Sequence, residues 1–195
     1  MSELILDLDE VDENDPILDW EGVFGNVHPV EIEIGSGKGR FLIESAQRHP
    51  KVNYVGVEWA RKYLRIAHER SLKRELRNVR LVRAEAREFI EFFVPSESTQ
   101  AFHVYFPDPW PKKRHHKRRL FNPRFLREVE RTLVPGGWLW LATDFQGYFE
   151  AISELLAGSD CLHETCTEWE GTKTNYEEKY LAQGRKIYRR TMKKA

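Results

Sequence analysis

Two periods of hydrophobic and polar residues interleave along the chain. Val30 to Ile34 alternates apolar with acidic positions. Asn53 to Val57 and Val79 to Val82 are short runs rich in valine, and Phe102 to Phe106 is an aromatic-rich run; each pattern predicts a strand. Between them, Arg40–Arg48, Ala60–Leu76 and Arg87–Phe93 carry apolar residues at helical spacing, and Pro95–Thr99 reads as a loop. Further on, Leu120–Leu133 predicts an amphipathic helix, Pro135-Gly136-Gly137 a tight turn, and Trp138–Ala142 a strand. Phe145–Ala157 predicts a helix that Gly158 can close. From Leu162 the pattern predicts two more strands, joined by the polar segment Gly171 to Gln183. Such alternation predicts an α/β fold: a doubly wound, mostly parallel, seven-stranded sheet with an antiparallel C-terminal hairpin.

Composition adds an asymmetry that the net charge of zero conceals. Of the 31 acids, nine lie in residues 1–21, ahead of Lys38, the first basic residue; the rest of the chain sets 22 acids against 31 Lys and Arg. Residues 1–18 are therefore expected to form an acidic, solvated arm, and residues 19–195 a single domain. The arm could shield a basic surface until nucleic acid displaces it. Trp20 and Phe24, followed by Gly25 and Asn26, are expected to pin the arm to the body. No apolar run approaches the roughly 20 residues that a membrane span needs. With no export signal, a cytoplasmic location is expected, with Cys161 and Cys166 reduced.

The strand ending at Ile34 runs into Gly35-Ser36-Gly37-Lys38-Gly39 and then a helix, the opening of a nucleotide-type βαβ unit. A P-loop is excluded, because Gly39 and Arg40 follow Lys38 where Ser or Thr would be needed. A dinucleotide turn fits poorly, since its third glycine comes one residue early. Glu33, two residues before the first glycine, suits a cationic ligand without phosphate, such as S-adenosyl-L-methionine (SAM). Glu58, about 20 residues past the glycines, is placed to accept from a ribose hydroxyl pair. The Ala84-Glu85-Ala86 triplet at a third strand end suits the rim of an adenine pocket; it suits equally a plain helix N-terminus.

The densest chemistry lies at Tyr105 to Arg119, which reads Tyr-Phe-Pro-Asp-Pro-Trp-Pro-Lys-Lys-Arg-His-His-Lys-Arg-Arg. Pro107, Pro109 and Pro111 predict a stiff extended turn that fixes Asp108 and Trp110. Six Lys/Arg and two His follow within Lys112 to Arg119. Cations grip phosphates, an aromatic face stacks on a base, and a carboxylate accepts from a base edge, so the stretch predicts RNA binding. His115 and His116 are not read as metal ligands, because no acid or cysteine beside them completes a site. Glu33, Glu58, Glu85, Asp108 and Asp144 all fall at expected strand ends, where ligands bind in such sheets. A nicotinamide oxidoreductase explains Gly35, Gly37 and Glu58 but not Pro107 to Arg119; a non-catalytic RNA-binding module does not explain the acidic rim.

Glu33-Ile-Gly-Ser-Gly-Lys-Gly39, Pro107-Asp-Pro-Trp-Pro-Lys112 with its basic tail, Ala142-Thr-Asp144 and Thr174-Asn-Tyr-Glu177 together resemble the bacterial tRNA (guanine-N7-)-methyltransferases. The resemblance runs from about Trp20 to Arg189. It implies a Rossmann-like class I SAM-dependent methyltransferase acting on guanine 46 of the tRNA variable loop, as a monomer or homodimer, with no metal. It implies cofactor contacts for Glu33, Gly35, Gly37, Gly39, Glu58, Glu85, Ala86 and Asp108. Substrate contacts are implied for Lys112, Asp144, Thr174, Asn175, Tyr176 and Glu177. The charge of the basic run itself predicts RNA-backbone contacts for Lys112, Lys113, Arg114, Lys117, Arg118 and Arg119. Asp108 is the expected catalytic group. Two positions depart from the family pattern: Glu85 stands where Asp is usual, and Asn175 where Lys is common. Guanine N7 carries an in-plane lone pair and no proton, so the expected catalysis is alignment plus a carboxylate near the developing positive charge.

Overall fold

The computed structural model describes residues 4–8, 16–166 and 175–195, and not the side chains of Asn175 and Tyr176. Strands β1 (Ile5–Leu6), β2 (Val30–Ile34), β3 (Asn53–Val57), β4 (Val79–Val82), β5 (Thr99–Tyr105), β6 (Leu133–Thr143), β7 (Leu162–Glu164) and β8 (Tyr188–Lys194) form one sheet. Its order is β1-β4-β3-β2-β5-β6-β8-β7. The six strands from β1 to β6 are parallel; β8 runs antiparallel to both β6 and β7. The α/β class and the antiparallel C-terminal pair are as expected, but among the described residues the sheet has eight strands, not seven.

The eighth strand comes from the acidic arm. Ile5 and Leu6 pair with Leu81 and Val82, and the Leu81 N–H donates to the Leu4 carbonyl at 2.7 Å. Leu4 is buried against Leu42, Tyr54 and Leu81. The alternation of Leu4, Leu6 and Leu8 with other residues is a strand signal set among acids. Here apolar burial at the sheet edge outweighs the solvation that the acids favour.

Helices cover both faces. Helices α2 (Arg40–Arg48) and α3 (Arg61–Leu72) pack Leu42, Ala46, Leu64 and Ala67 against Tyr54 and Leu81 on one face. On the other face lie α4 (Ala86–Phe93), α5 (Pro123–Thr132) and α6 (Gln146–Ala157), which bring Phe89, Phe125, Val129 and Ile152 onto Val55, Val104 and Leu141. The short α1 (Trp20–Phe24) is capped by the Asp19 carboxylate and closed by Gly25 at φ 70°. Its Trp20 ring lies 6.4 Å from Phe24, and its indole N–H donates to Ser98, so the entry to the body is pinned as expected. The Pro135-Gly136-Gly137 turn is absorbed into β6 as an irregularity: Thr99 faces Leu133, yet Ala101 faces Trp138. The C-terminal polar segment contains a helix the pattern did not reveal, α7 (Asn175–Ala182). Among the described residues no helix is long and apolar enough to cross a membrane.

Candidate active site

The parallel strands β2 to β6 end on one edge, and Glu33, Glu58, Glu85, Asp108 and Asp144 all lie along it. At the end of β2 the chain turns over β3. The Gly35 and Ser36 N–H groups both donate to the Val57 carbonyl, at 2.8 and 3.1 Å. Gly37 then donates to Glu58 Oε2 at 2.9 Å, while Glu58 Oε1 takes the Ala60 N–H at 2.7 Å. Glu58 thus clamps the glycine turn, and its remaining lone pairs stay available to a hydroxyl pair. Gly35 has φ +73°, and a methyl group on its Cα would meet nothing within 4 Å, so its backbone borders open space. Gly39 is different. A Cβ there would sit 2.9 Å from the Ala67 Cβ, so glycine at this position is required by the packing of α2 on α3.

Beside the turn is a cavity of about 370 Å³, lined by Glu33, Ser36, Lys38, Phe41, Tyr63 and Tyr105 among others. Glu33 is 4% exposed, and its Oε2 has no hydrogen-bond partner. Burial, and secondarily the Glu58 charge, pushes its carboxyl well above the usual carboxylate range. A buried acceptor without a partner is costly, and a cation brought into the cavity would satisfy it. A buried line of contacts backs the same wall. Tyr105 Oη lies 2.8 Å from His103 Nδ1, and His103 Nε2 lies 2.9 Å from Glu31. In the neutral ring, Nε2–H donates to the carboxylate and Nδ1 accepts from the tyrosine hydroxyl. Burial, and then the charges of Glu33, Glu31 and Glu177, hold the Tyr105 hydroxyl well above its ordinary pKa, so it stays protonated and is no base. These residues fit SAM: an uncovered acceptor for its positive or amine-bearing end, backbone at close approach, and Glu58 for its ribose.

Helix α7 closes over the rim. Arg40 donates to Glu178 through both terminal nitrogens, at 2.5 and 2.7 Å. Arg189 pairs with the buried Glu177, and Arg185 Nη1 donates to Asp144 at 2.7 Å. Tyr180 packs on Phe106 at 5.5 Å, and Lys179 reaches the cavity wall. Asp144 and Glu177, two expected substrate residues, are thus brought to one side of the site, each held by an arginine. Thr174 lies outside the described residues, as do the side chains of Asn175 and Tyr176.

The proline-framed turn carries a conformation that the prolines alone do not predict. Phe106 and Trp110, which precede Pro107 and Pro111, take φ +53° and +42°. Positive φ at bulky residues costs roughly 1–3 kcal/mol each and persists only where neighbours impose it. At Phe106 the neighbours are Tyr180 and the Ala142 carbonyl, which takes the Phe106 N–H at 2.7 Å; at Trp110 they come from the basic run. Arg118 lies over the Trp110 ring at 4.9 Å, His115 meets its edge at 5.8 Å, and Arg119 Nε donates to the Pro109 carbonyl at 2.9 Å. Asp108 is left exposed.

Lys113–Arg118 forms a 3₁₀ helix with no buried residue. Lys112, Lys113, Arg114, Lys117 and Arg118 are exposed as expected. Arg119 is not: it is 8% exposed, stacked on Tyr148 at 4.7 Å. It holds the turn and does not present itself to a phosphate. Glu85 takes up the helix-terminus role that its position suits. Its carboxylate accepts from the Arg87 and Glu88 N–H groups and pairs with the Arg87 side chain at 3.0 Å, so it caps α4, with Ala86 as that helix's first residue. Sequence reasoning missed Phe41, Tyr63, Tyr105 and Lys179 as cavity residues. The strand parity that puts Tyr105 on the same face as His103, which is opposite Glu33 in register, is the one signal that could have found part of the set.

A methyltransferase family, Methyltransf_4, matches residues 27–190. The tRNA (guanine-N(7)-)-methyltransferase of Enterococcus faecalis is 40% identical over 177 residues, covering 87% of this chain and 82% of that protein. The enzyme of the same name from Listeria innocua is 44% identical over 179 residues, with the same coverage. Among solved structures, the fold is shared with TrmN from Thermus thermophilus, at TM-score 0.61 and 19% identity over 90% of this chain and 47% of that one. It is shared too with a 30S ribosomal A1408 methyltransferase from an uncultured bacterium, at TM-score 0.61 and 14% identity over 95% of each. At that level of identity to curated relatives, across most of both sequences, the chain belongs to the tRNA (guanine-N7-)-methyltransferase family.

Proposed function

We propose that the protein transfers a methyl group from SAM to N7 of guanine 46 in the variable loop of tRNA. The observation that carries this reading is the buried, unpartnered Glu33 oxygen in a cavity walled by Tyr105, the residue from which β5 leads into the proline-framed turn and its five exposed cations. When bound, SAM supplies an electrophilic methyl group on a positive sulfonium. The chain's own residues do the rest. Glu58 and the glycine turn hold the cofactor, and Glu33 answers its positive charge.

Lys112, Lys113, Arg114, Lys117 and Arg118 hold the RNA backbone. Asp144 or Glu177 accepts from the guanine N1–H and N2–H₂ edge; Asp144 would exchange its Arg185 partner, and Glu177, buried against Arg189, would first have to be uncovered. Asp108 stabilises the positive charge that forms on the ring. No group is needed to remove a proton, which agrees with a site whose buried tyrosine stays neutral. The variable-loop base must first leave its stack, at a cost of a few kcal/mol.

The decisive experiment maps methylation on bulk tRNA incubated with the purified protein and labelled SAM. The expected product is 7-methylguanine at position 46. Methyl transfer to another atom, or none in RNA with a free variable-loop guanine, overturns the reading.

A further inference from the structure

A second groove, of about 390 Å³, lies between α2 and α3. Ile43, Glu44 and Gln47 of α2 line it together with Arg70 and Arg74 of the α3 side, and Arg40 and Arg70 are shared with the first cavity, so the two adjoin. Arg70 Nη1 donates to the Lys38 carbonyl at 3.1 Å, and Arg74 Nη1 to the Arg70 carbonyl at 3.1 Å. Lys73 and Arg77 extend the same basic stretch; like Arg74, both are exposed. Elsewhere these two helices neutralise their cations. Arg40 and Arg48 pair with Glu44, and Arg65 pairs with Glu69. Among the described residues, Arg70, Lys73, Arg74 and Arg77 pair with no acid, and Glu75, the one acid within that stretch, pairs with none of them. The dipole of α3 favours a cation in its last turn, where Arg70 stands. It does not explain the rest: Arg70 and Arg74 are like charges four apart, which oppose each other, and Arg77 lies past the end of the helix. Cations that the fold leaves unneutralised along one groove indicate an anionic partner.

We propose that Arg70, Lys73, Arg74 and Arg77 hold a run of tRNA phosphates away from the target guanine. Charge complementarity selects the occupant, and the groove walls carry no aromatic ring on which a base could stack, so the contact is to backbone and reads no sequence. The fold sets its direction. α2 and α3 both leave the rim where the parallel strands end and run back towards the opposite edge, where Asn78 donates to the Ala46 and Val52 carbonyls. The groove therefore leads from the mouth of the cavity down one face of the sheet. An RNA whose guanine sits at the cavity would lay a neighbouring arm along it, while the basic run after β5 grips the other side of β2. The proposal rests on the tRNA reading above and adds a second grip, remote from the methylated base.

The test uses full-length protein and unmodified tRNA. The triple variant Lys73→Ala/Arg74→Ala/Arg77→Ala should lower the slope of log affinity against log salt by about three, and should weaken binding by a similar factor for tRNAs of different sequence. SAM affinity by calorimetry and the melting temperature should stay as in wild type. The charge-conserving variant Arg74→Lys/Arg77→Lys should keep the wild-type slope, which separates loss of charge from loss of fold. An unchanged slope in the triple variant overturns the proposal. So does a fall in SAM affinity with tRNA binding intact, which would assign these cations to the cofactor. If the wild-type protein fails to methylate tRNA, the function itself falls; if it methylates and the triple variant binds tRNA as wild type does, only this groove does.

Discussion

The two flanks of the site are built by opposite means. On the β2–β3 flank, backbone hydrogen bonds from Gly35, Ser36 and Gly37 to Val57 and Glu58 fix the turn, and Glu33 lies buried behind it. On the β5 flank, Asp108 is exposed in a turn with Phe106 and Trp110 at positive φ, held by Arg118 on Trp110 and by Arg119 at the Pro109 carbonyl. The first flank is preorganised for a small ligand that is bound in every cycle. The second keeps its charges in solvent, where they cost little. In the proposed reading, strength in the first flank comes from burial, and strength in the second from the RNA phosphates it would grip.

Mutations can break or sharpen this contrast. The largest effect is expected from Asp108→Asn, which should lower kcat about a hundredfold or more and leave tRNA affinity within about twofold. An equal loss in both would make Asp108 a binding residue only. Next, Gly39→Ala should destabilise the fold by roughly 2 kcal/mol or more, through φ strain of about 1–2 kcal/mol and the 2.9 Å approach to Ala67. Gly35→Ala meets no such contact, so it should be milder in thermal melts. Glu58→Ala should weaken SAM binding about tenfold or more with the fold retained, in line with loss of charge-assisted hydrogen bonds; normal affinity in calorimetry would remove Glu58 from the site.

A pH dependence follows from Glu33. Its pKa is raised in the fold, so its ionised form is disfavoured there, and apo stability should fall as pH rises from the ordinary carboxylate range through the raised value. A cationic ligand favours the ionised form. SAM affinity should therefore rise over that same window with release of a proton, and Glu33→Gln should flatten the profile. The smallest effect concerns the basic run: Lys117→Ala/Arg118→Ala should reduce the salt slope of tRNA binding by about two. Arg119→Lys should leave the slope alone and lower the melting temperature.

The order of elements from β2 to α6 and the acidic rim were legible because strand and helix periods are local, and because parallel strands put their ends together; β1 and α7 were not. The partners of those acids were not legible. Whether Glu85 faces a ligand or its own helix depends on a rotamer, and whether Arg119 points outward depends on Tyr148, 29 positions on. The packing role of Gly39 was not legible either, because glycine's need for space reads the same whether a ligand or Ala67 fills it. Cavity residues such as Tyr63 and Lys179 sit on helices far apart in the sequence, with no local mark. The arm misled in part because its acids outnumber the three leucines that place its start on the sheet. Deleting residues 1–18 would strip strand β1 and buried Leu18, so shielding by the arm is better tested by converting Asp9, Glu10, Asp12 and Glu13 to amides. Higher tRNA affinity at low salt is the expected sign of shielding.

The position of β8 has a consequence for biogenesis. Residues 188–194 are made after every other described strand, yet they fill a slot inside the sheet between β6 and β7. During synthesis β6 must therefore wait with one bare edge, its Trp138 and Trp140 rings stacked 5.6 Å apart beside it. A nascent chain stalled before Tyr188 would hold a nearly finished cofactor cavity next to a sticky, unpaired border, and it is at this stage that a chaperone has most to protect.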